Sequence, residues 1–107
     1  MHARDIVVFL GPSLPVDEAR RILPARYLRP AQCGDVLRAR RLSPKVIAIV
    51  DGVFASTPSV WHKEILLAID DGIAVVGASS MGALRAAELA PFGMIGIGRI
   101  FDAYRDG

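Results

Sequence analysis

The chain has 107 residues, 52% of them hydrophobic, and a net charge of only +2, a size that holds one small domain and excludes a second core. No apolar run approaches the roughly 18 residues that span a bilayer, and the start, Met1-His2-Ala3-Arg4-Asp5, lacks the organisation of a secretory signal. The expectation is a cytoplasmic protein; its single cysteine, Cys33, excludes an internal disulfide and offers no zinc cluster.

Ile6-Val7-Val8-Phe9-Leu10 is an unbroken β-rich run closed by Gly11-Pro12. Pro15-Val16-Asp17-Glu18 follows, with the proline and acids that favour a helix start. Pro24 and Pro30 bracket a stretch that reads as irregular, after which Gly34-Asp35 introduces a short basic helix from Val36 to Arg41. Val46-Ile47-Ala48-Ile49-Val50 is a second buried strand, closed by Asp51-Gly52. Thr57-Pro58 is a cap and first-turn pair for a third helix, in which Trp61, Ile65, Ala68 and Ile69 recur at helical spacing, so Trp61 is expected on the buried face. Gly72 stops that helix, and Ile73 to Val76 is the third strand. The fourth helix, Met81 to Leu89, is rich in alanine and ends at Pro91. Phe92 to Gly98 alternates glycine with apolar residues, as a short edge strand would, and Arg99 to Tyr104 is amphipathic.

Strands alternating with helices imply parallel pairing through right-handed crossovers. The fold expected over residues 1–107 is therefore a three-layer α/β core, Rossmann-like or flavodoxin-like, with a short, mainly parallel sheet. Ligands of such sheets bind at the carboxyl ends of the strands. All three strong strands end there in polar atoms, glycine or both: Gly11-Pro12-Ser13, Asp51-Gly52, and Gly77-Ala78-Ser79-Ser80-Met81-Gly82.

The last of these segments joins a strand to a helix. Centred on Ser80 it reads small-x-Ser-x-Gly, a relative of the nucleophile elbow that lifts a serine onto the rim of a sheet. Ser80 is thus a candidate nucleophile; equally, Ser79 or Ser80 can simply cap the helix. Backbone N–H groups at Met81 and Gly82 would suit an oxyanion. His62, the one histidine away from the N-terminus, is expected in the second turn of the third helix on the same rim, where the helix dipole disfavours imidazolium and suits a general base; the alternative is a histidine that only packs. Asp51 can orient that base or form a turn. Lys63 and Arg85 supply positive charge, although Arg85 can pair with Glu88 along its helix. Glu64, two residues after His62, points to another side of the helix. Eight of the thirteen basic residues lie between Arg20 and Lys45 with a single aromatic, Tyr27, among them, too few to stack bases, which argues against nucleic acid and for solvated helix faces or an acidic partner. Cys33 before Gly34-Asp35 suits a stabilised thiolate or an inert small hydrophobe.

Read together, Val8 to Leu14, Gly34-Asp35-Val36, Ile49 to Phe54, Val60 to Leu66 and Gly77 to Leu89 resemble the TfuA-like family. Members of that family accompany YcaO enzymes, which convert backbone amides to thioamides with ATP, and are thought to help supply the sulfur. The resemblance implies ribosomal peptide or protein thioamidation, and its blocks include Ser80, His62, Asp51, Lys63, Glu64 and Arg85. The family continues past the segment seen here as Phe101 to Arg105 into an acidic stretch and further helices, whereas this sequence stops at Gly107.

The first functional reading is that of a sulfur-delivery enzyme, without cofactor or metal. Ser80, activated by His62 and with Asp51 as orienting group, attacks the C-terminal thiocarboxylate of a ubiquitin-like sulfur-carrier protein. Gly11, Ser13, Ser79, Met81, Gly82, Lys63, Glu64 and Arg85 are the candidate substrate-binding residues. The second reading is a non-catalytic partner that binds or activates a YcaO enzyme. A nucleotide- or phosphate-binding module is a weaker third, because the glycine fingerprints are absent. Open sheet edges and a high apolar fraction also suggest a homo-oligomer.

Overall fold

A computed structural model of the chain describes residues 2–11, 14–50 and 60–98, together with Asp102 and Asp106, and the backbone alone at Ser80 and Met81. Five strands, β1 (Ile6–Phe9), β2 (Arg26–Leu28), β3 (Val46–Ile49), β4 (Ala74–Ala78) and β5 (Ile95–Ile97), form one sheet in the order β2-β1-β3-β4-β5. Every pairing is parallel. The helices between them are α1 (Val16–Ile22), α2 (Asp35–Arg40), α3 (His62–Asp70) and α4 (Ser80–Leu89). This is the flavodoxin-like strand order among doubly wound α/β folds, so the expected class holds.

The register lays side chains in rows across the sheet. Tyr27, Val8, Ala48, Val76 and Ile95 share one row, and Leu28, Phe9, Ile49, Gly77 and Gly96 share the next, on the opposite face. Only the step from β1 to β2 runs in one direction along the sheet; the other three connections run the opposite way. Right-handed crossovers then put α1 on one face and α2, α3 and α4 on the other. The packing agrees: Val36, Ala39, Ile65, Ala68, Ala83, Ala86 and Leu89 close over Val7, Phe9, Ile47, Ile49 and Val75. On the second face Ala19 of α1 meets Ile6, Val8 and Leu10.

The stretch between Pro24 and Pro30, read from sequence as irregular, contains β2. Only three residues long, it is held by pairing to β1 and by the Tyr27 hydroxyl, which donates to the carbonyls of Leu23 at 2.6 Å and Ala19 at 3.0 Å. A second correction concerns α3. The described helix begins at His62, with Trp61 just outside it and 59% exposed, while Glu64, Ile65 and Ala68 form the inward face. The Thr57-Pro58 start expected for this helix lies outside the described residues. The edge strand expected near the C-terminus is present as β5. Among the described residues no helix is long and apolar enough to cross a membrane.

Candidate functional site

The turn from β4 into α4 is built on close backbone approach. Gly77, the fourth residue of β4, faces the carbonyl of Gly82, and Gly82 in the first turn of α4 faces the carbonyl of Ile49 at the end of β3. A Cβ at either position would run into backbone. Glycine is required here because α4 is drawn down onto the carboxyl ends of two strands. Ser79, between them, has φ 61° and ψ 147°, and its carbonyl accepts from the N–H of Ala83 at 2.9 Å. A positive φ at a residue with a Cβ is a strained conformation, and such residues cluster at functional turns. Ser80 is the first residue of α4, and the N–H groups of a helix's first turn have no partner within the helix. The sequence expectation of an abrupt strand–turn–helix with serine at its apex is met by the backbone.

His62 lies at the first position of α3 and is about half exposed. Its Nε2 sits 3.1 Å from Oε1 of Glu88, which also accepts from Nη1 of Arg85 at 2.7 Å. Arg85 is 13% exposed, and its Nε donates to the carbonyl of Val60 at 2.8 Å. One carboxylate oxygen thus ties the start of α3 to α4. Burial pushes the Glu88 carboxyl up, but hydrogen bonds from Arg85 and His62 outweigh it and hold the group below its usual value of 4.5. Glu88 lies eight residues beyond Ser80, about 12 Å along the helix axis. In this structure His62 is therefore paired near the far end of the helix that Ser80 begins. The Arg85–Glu88 pair was legible as a three-residue spacing; its extension to His62, 26 positions away, was not.

Glu64 is 1% exposed. Its Oε2 accepts from the N–H of Gly34 at 3.0 Å and of Trp61 at 3.1 Å, and its Oε1 from Val36 at 2.9 Å and Leu37 at 3.4 Å. One carboxylate caps its own helix and the start of α2, satisfying donors that both helices leave open. Its described role is thus to join two crossovers, which sequence spacing gave no means to foresee. Lys63 is exposed, Gly11 is half-buried at the end of β1, and Cys33 is a half-buried free thiol before Gly34. Ser13 and Asp51 lie outside the described residues, as do the side chains of Ser80 and Met81.

The arrangement offers a serine pair at a constrained turn, a helix N-terminus for developing negative charge, and a His–Glu–Arg cluster on the flank. A family model described as TfuA-like protein matches residues 51–107, just over half of the chain, a span that includes the β4–α4 turn and the cluster. No curated protein matches the chain.

Proposed function

The chain belongs to the TfuA-like family, and from that premise we propose that it acts beside a YcaO enzyme in backbone thioamidation, releasing sulfide from the C-terminal thiocarboxylate of a ubiquitin-like sulfur-carrier protein. The family is consistent with a YcaO-associated role; the hydrolytic step rests on the β4–α4 turn. The observation that carries it is the strained Ser79 between two glycines pressed against backbone, with Ser80 opening the helix.

In the proposed chemistry the Ser80 hydroxyl attacks the thioacid carbon. The C–S bond breaks, the serine proton leaves with sulfur as hydrosulfide, and the acyl group remains as a serine ester. Water then cleaves the ester, returning the serine and leaving a carboxylate on the carrier. Sulfide is a good leaving group, and the N–H groups of the first turn of α4 suit the negative charge that develops on the acyl oxygen. Gly11 and Ser13, which follow β1 in the sequence, Asp51, which follows β3, and Lys63 and Arg85 remain the candidates for orienting and charge-balancing roles. A direct Ser80–His62 bond requires His62 to leave Glu88.

The pairing of His62 with Glu88 favours a second reading, in which the protein binds and activates a YcaO enzyme without chemistry of its own. One experiment separates the two. Sulfide release from a thiocarboxylated carrier is measured for Ser80→Ala, Ser79→Ala and His62→Ala proteins, with YcaO binding measured in parallel. Loss of release in Ser80→Ala with binding retained supports the hydrolase; release at the wild-type rate in all three leaves only the accessory role.

A further inference from the structure

The basic residues of this chain are concentrated in one segment, most of which lies at one edge of the sheet; of its eight, Arg40 is ion-paired to Asp71 and Lys45 directly precedes the central strand β3. Residues 20–45 hold eight basic side chains and one acidic one, whereas the other 81 residues hold five basic and ten acidic. The segment contains the last turn of α1, all of β2 and all of α2, the two crossovers that lead into and out of the edge strand. Its single acid, Asp35, is buried, and one of its oxygens accepts from both Arg29 at 3.1 Å and Arg38 at 2.9 Å. Two guanidiniums share one carboxylate, so positive charge remains at that point while its position is fixed. Arg20, Arg21, Arg26 and Arg41 are exposed, with no carboxylate in salt-bridge range among the described residues.

Beside this charge lies a cavity of about 520 Å³, within the size range of ligand sites. Phe9, Ala39, Leu28 and Leu42 line it, and Arg29 and Arg38 stand among them. Both leucines are more than two-fifths exposed, so the space opens outward next to β2. Among the described residues the strand itself pairs with β1 on one side only.

We propose that this edge receives an extended, acidic segment of a partner protein, which adds to β2 as a further strand, sets an apolar side chain in the cavity and places carboxylates on the surrounding arginines. Each part supplies a different component of recognition. Main-chain pairing gives affinity, the cavity selects an apolar residue at one position, and the arginines select acidic neighbours and speed encounter. The opposite edge does not fit this partner: β5 exposes Ile95 and Ile97 and carries no charge. Two strands separate β2 from β4, so the inference stands whether or not the β4–α4 turn is catalytic.

The test uses the full chain and a fluorescein-labelled peptide, Asp-Glu-Leu-Glu-Phe-Asp-Glu, followed by fluorescence anisotropy. Binding is expected to weaken as salt is raised, and by roughly tenfold in an Arg26→Gln/Arg29→Gln protein. Amide hydrogen exchange at residues 26–28 slows when the peptide is bound. An Arg20→Gln/Arg26→Gln protein, which leaves Asp35 and its partners intact, shows a similar loss and guards against a folding defect in the first variant. The proposal is overturned by absence of binding, by equal binding of a peptide with serine in place of leucine and phenylalanine, by unchanged exchange in β2, or by tighter binding of an oligouridylate of equal charge.

Discussion

The two faces of the sheet are unlike. Beneath α2, α3 and α4 the side chains are close to fully buried: Val7, Ile47, Ile49 and Val75 are each 0% exposed. The other face is just as apolar in sequence, yet only α1 is described on it, over β1 and β2. Its rows across β3, β4 and β5, from Val46 and Ala74 through Ala48, Val76 and Ile95 to Val50, Ala78 and Ile97, are half-buried or exposed, with Ile97 at 55%. Strand composition alone does not determine burial. The direction of each crossover does, and three of the four connections here run the same way.

The sharpest break of the covered face is Gly82→Ala, which drives a Cβ into the Ile49 carbonyl. Backbone clashes have no flexible group to yield, so the loss in urea unfolding is expected to reach about 4 kcal/mol or more, or to abolish folding. Near-native stability would mean that α4 does not sit this close to β3. Next is Ile65→Ala on the same face, with an expected cost of about 2–5 kcal/mol for a fully buried side chain. A cost below 1 kcal/mol would place α3 looser on the sheet than its burial indicates.

The third effect is smaller and depends on pH. Because the folded Glu88 carboxyl is held below its usual 4.5, the stability contributed by its bonds to Arg85 and His62 is present above that value. It is lost as pH falls through the lower, folded one. The contribution is modest, since Glu88 and His62 are both two-fifths or more exposed. Carbon-detected NMR titration should place Glu88 below the ordinary glutamate range, and Arg85→Gln should move it back up; an unmoved midpoint would remove Arg85 as the cause.

The smallest effect on stability is expected on the open face. Ile97→Ser should change unfolding free energy by about 0.5 kcal/mol or less. Its consequence appears in association instead, because exposed apolar rows beside a strand edge with no further partner among the described residues favour self-contact. Light scattering on a sizing column should show a lower mass at matched concentration for Ile97→Ser than for the parent chain; equal masses would show that this face is not sticky.

Much of this was legible in the sequence, and the exceptions share a cause. Ile6 to Leu10, Val46 to Val50 and Ile73 to Val76 announce buried parallel strands because burial on two faces demands unbroken apolar runs. The glycines at 77 and 82 announce a close turn for a local steric reason. What escaped depended on distant groups. β2 is a strand because β1 lies beside it and Tyr27 reaches α1, and its three residues between prolines carry no pattern of their own. Glu64 reads only as a residue on another side of the helix from His62, until the amides of Gly34, Val36 and Leu37 come to it from about thirty residues away. Trp61 follows from the same displacement, since Glu64 and Ile65 take the inward positions that a large aromatic was expected to share.

The placement of Glu64 has one more consequence. A carboxylate shared by the first turns of α2 and α3 is a buried latch: if α2 opens, Glu64 loses three of its four amide donors, Gly34, Val36 and Leu37, and if α3 opens, those three amides lose their acceptor. Neither helix can fray at that end by itself, so the two should behave as a single cooperative unit in slow local opening, with matching exchange free energies for the first-turn amides of both. Two crossovers that are separate in the strand order are thereby made one mechanical element, and the flank that His62 occupies inherits its rigidity.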